Sequence, residues 1–142
     1  MEIWKEGEVK MAKYNLNWQE TDAQLLEALL LATGGEGGTT LQDVLLMADA
    51  IDGTVFTLQE LEQGFEKLMS VNFMSIRKNK LSLTQEFLED YASIADAENE
   101  QEALLKLLQT KHLTPGNMDE PKILIKKYKL QNQFQAHLEQ FG

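Results

Sequence analysis

Four groups of residues in this chain invite a chemical reading. His112 and His137 are the two histidines; they stand far apart, with no cysteine anywhere and no H-E-x-x-H pattern, so the spacing that builds a zinc site is missing. The stretch Asp52–Leu61, DGTVFTLQEL, echoes the second half of a calcium loop. If Asp52 and Gly53 were its fifth and sixth positions, the first and third would be Ala48 and Ala50, and the twelfth Gln59 with Glu60 one place late, which leaves a hard cation short of oxygen ligands. The loop Gly34–Thr40, GGEGGTT, suggests a phosphate cradle, but a P-loop needs a Lys after its last Gly and here Thr39 follows Gly38. Serine nucleophiles fare no better, since no G-x-S-x-G occurs. The fourth group, Arg77-Lys78-Asn79-Lys80, can bind anions or simply keep a turn soluble. The expectation is a non-enzyme without metal or cofactor.

The elements that carry these residues follow from composition and spacing. A chain of 142 residues, 43% hydrophobic, has material for one core and a terminal extension. MEIWKEGEVK has no apolar run, so no secretory leader is expected. The longest apolar run, Leu25–Ala32, is too short to span a bilayer. A cytoplasmic location and no membrane partner are the default. The net charge of −10 is unevenly spread: residues 18–100 hold sixteen acids against Lys67, Arg77, Lys78 and Lys80, whereas residues 101–142 hold four acids and six lysines. Backbone affinity for nucleic acid comes from cations, so the acidic middle counts against non-specific binding there.

Along the chain, residues 1–17 alternate weakly (Val9, Met11, then Tyr14, Leu16 and, just beyond, Trp18) and are expected to form an arm or strand. Thr21 with Gln24 reads as a capping box for a first helix ending at Gly34-Gly35. A second helix runs from Thr40 with Leu41, Val44, Leu45, Ala48 and Ile51 inward, and stops at Asp52-Gly53. Thr57 with Glu60 caps a third, whose buried stripe is Leu58, Leu61, Phe65, Leu68 and Met69; Phe56 is placed to staple it, and Gly64 suggests a close helix neighbour. Its outward face reads Gln59, Glu62, Gln63, Glu66 and Lys67. Asn72 closes that helix, and Phe73–Ile76 and Leu81–Leu83 flank a tight turn as a hairpin. From Thr84 a fourth helix carries Phe87, Leu88, Tyr91 and Ile94. A fifth carries Leu104, Leu107 and Leu108 and ends near His112, before the loop Thr114–Asn117. Asp119 and Pro121 start a last helix, in which Ile123, Leu130, Phe134, Leu138 and Phe141 make one apolar stripe.

This order of helices and hairpin, ending in KLSLTQEFLEDY, resembles the winged-helix superfamily of bacterial regulators. It is similar in layout to PadR-like members and to small uncharacterised winged-helix proteins, over about residues 20–95. The resemblance implies a mostly α fold with a small β-hairpin: a winged helix-turn-helix over residues 18–97, with additional C-terminal helices over 98–142. It also implies that the third helix faces a partner, with Gln59, Glu62, Gln63 and Glu66 outward and Arg77, Lys78 and Lys80 at the wing. Glu62 and Glu66 stand where basic residues are usual in that family. The reading expected first is a module acting through protein contacts, with self-association along Ile123, Leu130, Phe134, Leu138 and Phe141. A dimeric DNA-binding regulator is second, and an acidic inhibitor of a basic partner third.

Overall fold

Capping chemistry sets most of the helix boundaries. A computed structural model describes residues 15–141, so residues 1–14 of the expected arm lie outside the described residues; residues 15–19 are not strand. Helix α1 is Glu20–Thr33 and begins a residue before the expected Thr21 cap. Its N-terminal acceptor is Asp22, whose carboxylate takes the Gln19 N–H at 2.8 Å. Gly34 ends it in the left-handed conformation. The loop after α1 is not wholly irregular: Gly38–Thr39 form a short strand, β1. A Cβ at Gly38 would stand 2.5 Å from the Cβ of Lys80, so only glycine allows this approach.

Helix α2 (Leu41–Asp52) starts at Thr40, whose hydroxyl accepts from Asp43, and stops at Gly53. Helix α3 (Leu58–Ser70) carries the reciprocal Thr57/Glu60 capping box that its sequence encodes. Gly64 faces α1, where a Cβ would come within 2.7 Å of Leu25 Cδ2, so the expected close neighbour is α1. Asn72 takes φ +62 and turns the chain into β2 (Met74–Arg77). Lys78 and Asn79, both at positive φ, form the two-residue link to β3 (Lys80–Leu83), the geometry of a type I′ turn. The sheet is antiparallel in the order β1-β3-β2, with Ile76 opposite Leu81 and Thr39 on its other side. Thr84 caps α4 (Gln85–Ala92) and Asn99 caps α5 (Glu100–Gln109).

After a 3₁₀ turn at Pro115–Asn117 the last helical stretch departs from expectation. Lys129 sits at φ +61, ψ +46 and splits it into α6 (Asp119–Tyr128) and α7 (Leu130–Phe141). Ile123 is therefore on a different helix from Phe134, Leu138 and Phe141, and the single long stripe does not form. One core runs from Ala23 on α1 through Val44, Leu61, Phe65, Phe73 and Phe87 to Leu104, Ile125 and Leu130. Residues 98–141 are thus built into the same core as the preceding helices. Helix α5 packs on α1, α6 on α3, and α7 on α2. The fold is mostly helical, with a small three-stranded antiparallel sheet.

Candidate interaction surfaces

The face of α3 expected to point outward is covered at its C-terminal half. Gln59 is exposed and Glu62 and Gln63 are half-buried, but Glu66 and Lys67 are buried. Two segments cover them. Residues 15–19 cross one side: the Asn15 side-chain amide donates to Gln63 at 3.0 Å, and the Lys67 ammonium donates to the Asn17 carbonyl at 2.9 Å. Lys67 also lies 2.5 Å from Asp22 Oδ2 and 5.8 Å from the Trp18 ring centroid. Trp18 in turn donates its indole N–H to the Lys111 carbonyl, fastening this segment to the end of α5. Helix α6 covers the other side, where Lys122 Nζ stands 3.5 Å from Glu66.

Burial changes the protonation chemistry of these carboxyls. Desolvation raises the Asp22 pKa, and the Lys67 hydrogen bond and charge offset part of that. Desolvation also raises Glu66, against the pull of Lys122 and with added repulsion from Glu62. A third buried carboxyl, Glu27, is raised for the same reason; it accepts from the Gln101 side chain at 2.7 Å and so ties α1 to α5. Asp52 accepts from the Thr54 N–H and from Gln101, so it closes a turn and reaches α5. Among the described residues no three His, Asp or Glu side chains gather as a metal site would require.

The residues expected to self-associate are divided by the structure. Leu130 is only 2% exposed and belongs to the core, and Phe134 is half-buried against it. Ile123 is 55% exposed but lines a different cleft, between α3 and α6. Leu138 and Phe141 do lie together on an open face of α7. They border a 440 Å³ cleft whose other wall is Leu45, Leu46, Val55 and Phe56, from α2 and the α2–α3 connection. His137 stacks on Phe141 there, with ring centroids 5.0 Å apart. Leu46 and Val55 were not singled out from sequence, because nothing local marks an apolar residue on α2 or its following loop as exposed. Among the described residues the large exposed apolar side chains are Leu31, Leu46, Val55, Ile123, Leu138 and Phe141. Four of the six meet at this cleft.

The wing-tip residues Arg77, Lys78, Asn79 and Lys80 are all exposed. Asn79 lines a 470 Å³ cleft whose opposite wall is Lys127, Lys129 and Asn132, at the corner between α6 and α7. No sequence signal joins these two segments; the packing of α6 on α3 brings them together. Among the described residues no helix is long and apolar enough to cross a membrane.

This architecture defines a mostly α protein with a small antiparallel sheet and a third helix whose outer face is partly covered by residues 15–19 and by α6. No family model, curated protein or solved structure gives a significant match to the chain.

Proposed function

We propose that this chain is a non-enzymatic winged-helix module that acts through protein contacts, and that it self-associates through the cleft between α2 and α7. The observation that carries this reading is the convergence of Leu46, Val55, Leu138 and Phe141 on one cleft. Isolated exposed apolar side chains are ordinary; a contiguous set around a recess is the mark of a contact surface. A second copy is the occupant favoured by the shape. The same patch supplies projecting groups, Leu138 and Phe141, and a recess floored by Leu45 and Phe56, as a two-fold interface between identical surfaces requires.

Enclosure of the third helix weighs against the two other readings. Entry of α3 into a major groove by the Glu66/Lys67 face would require α6 and residues 15–19 to leave it. It would also bare an ion pair whose side chains are 1% and 3% exposed. The acidic-inhibitor reading loses Glu66, which is turned toward Lys122.

Sedimentation of the full chain over a range of concentrations tests the proposal. Each copy carries −10, so association opposes charge repulsion and should strengthen between about 0.05 and 0.5 M salt as screening grows. Leu138→Asp with Phe141→Asp should give a folded monomer, since both positions are exposed. A wild-type chain that stays monomeric at every concentration and salt overturns the reading.

A further inference from the structure

We infer that the cleft between α3 and the α6–α7 corner binds a short apolar peptide by its two free termini, the ammonium at Glu66 and the carboxylate at Lys126 and Lys129. The cleft holds 580 Å³, within the range of about 300–1,000 Å³ that small-ligand sites occupy. Its walls differ in charge. Glu62 and Glu66 line it from α3, and Lys126 and Lys129 line it from α6 and the corner that follows. Ile123, Ile125 and Leu130 add an apolar surface, on which Ile123 is 55% exposed. Asp119 and Lys122 line the cleft as well and are already partnered.

Two observations mark Glu66 and Lys129 as more than surface charge. The Glu66 side chain is 9% exposed, and its ion pair among the described residues is with Lys122 at 3.5 Å. A charge-assisted N–H···O bond is about 2.7–2.9 Å long, so this desolvated carboxylate, with two oxygens to fill, keeps capacity for a second ammonium. Lys129 stands at φ +61, where glycine is at ease and lysine is strained. Its side chain lines the cleft, and neither it nor Lys126 forms an ion pair among the described residues. A strained backbone kept for a side chain that lines a cleft points to use of that side chain.

The charge pattern selects the occupant. Lys122, level with Glu66, precedes Lys126 and Lys129 in α6 and its cap by distances of about 6 and 10 Å, at about 1.5 Å per residue. An extended chain advances about 3.3–3.6 Å per residue, so the termini of a di- or tripeptide span that gap. A free amino acid carries both charges on one carbon and is too short. A fatty acid offers nothing to Glu66, and a nucleotide would bring anions against Glu62 and Glu66. Apolar side chains on the peptide cover Ile123, Ile125 and Leu130.

The probe is the tripeptide Ala-Leu-Ala with free termini, titrated into the full chain by calorimetry. A ligand of about 20 heavy atoms with ordinary efficiency per atom should bind with a Kd of about 0.1 mM. Acetylating its N-terminus and Glu66→Gln should each weaken binding about 10-fold, and together no more than either alone, because they remove one contact. Amidating its C-terminus should weaken binding to a similar extent. Lys129→Gly should weaken binding while making the protein more stable, an outcome that loss of folding does not produce. Lys127→Gln, which lines the other side of the corner, should leave the Kd unchanged. No binding of the free tripeptide up to about 5 mM overturns the inference. So does equal binding of the free and doubly blocked peptides. Free leucine binding as tightly as the tripeptide overturns the assignment to a peptide. The Leu138→Asp/Phe141→Asp chain should bind the probe as the original protein does, which separates failure here from failure of self-association.

Discussion

Replacing Lys67 by Met tests whether the third helix is enclosed. In the sequence Lys67 looks like an outward cation next to Glu66; in the structure its side chain is 1% exposed and its ammonium touches Asp22 Oδ2 and the Asn17 carbonyl. Met keeps most of the hydrocarbon stem but removes the charge, leaving Asp22 buried with the Gln19 N–H still donating to it. Breaking a buried pair on one side costs about 3–5 kcal/mol, because the surviving charge stays desolvated. At about 2–4 °C per kcal/mol for a chain of this size, Tm should fall by roughly 6–20 °C. The double change Asp22→Asn/Lys67→Met removes both charges, and Asn can still accept from Gln19. It should recover most of the loss, to within about 1–2 kcal/mol of the original protein. Urea unfolding with unchanged m values gives the three free energies and their coupling. If Lys67→Met shifts stability by no more than about 0.5 kcal/mol, as an exposed site would, the enclosure of α3 is refuted and its outer face is available to a partner.

Two further outcomes follow from the backbone and from the buried carboxyls. Lys129→Gly should raise stability by about 0.5–1 kcal/mol, because glycine relieves the left-handed cost at φ +61. In one continuous helix the same change would cost about 1 kcal/mol, so chemical denaturation reads the helix break directly from the sign. Asp22, Glu27 and Glu66 have folded pKa values raised above the ordinary carboxylate values, so the folded state holds their protons to higher pH than the unfolded chain does. Stability therefore rises as pH falls from neutral through their folded pKa values, and stops rising below the unfolded values near 4. Glu66→Gln should flatten that rise in a Tm-against-pH series; an unchanged slope would show that Glu66 is solvated.

The helix stops at Gly34 and Gly53, the Thr57/Glu60 cap, the Asn72 turn and the hairpin through Lys78-Asn79 were all legible in the sequence. Each depends on hydrogen bonds or dihedral preferences within about four residues, so residue type alone carries the information. The same locality explains the failures. Thr21/Gln24 is a valid local pattern, but Asp22, anchored by Lys67 forty-five positions away, moves the cap to Gln19, two residues earlier. The strand Gly38–Thr39 exists because β3 offers it an edge. The last helix breaks at Lys129 because α6 lies on α3 and α7 on α2, and one straight rod cannot meet both.

The site residues divide along the same line. Sequence alone determined which residues are charged and which are apolar, and it offered no ligand set with the spacing that a zinc site, a calcium loop or a P-loop needs. It could not determine exposure. Periodicity gives two faces to a helix and assigns the polar one to solvent, but Glu66 and Lys67 are covered by segments remote in the chain, which supply Lys122, Asp22 and Asn17 as partners. Tertiary packing alone gathered Leu46 and Val55 with Leu138 and Phe141, and set Asn79 beside Lys127 and Lys129. Both surfaces are made from stretches about fifty to ninety residues apart, a distance over which no local propensity acts.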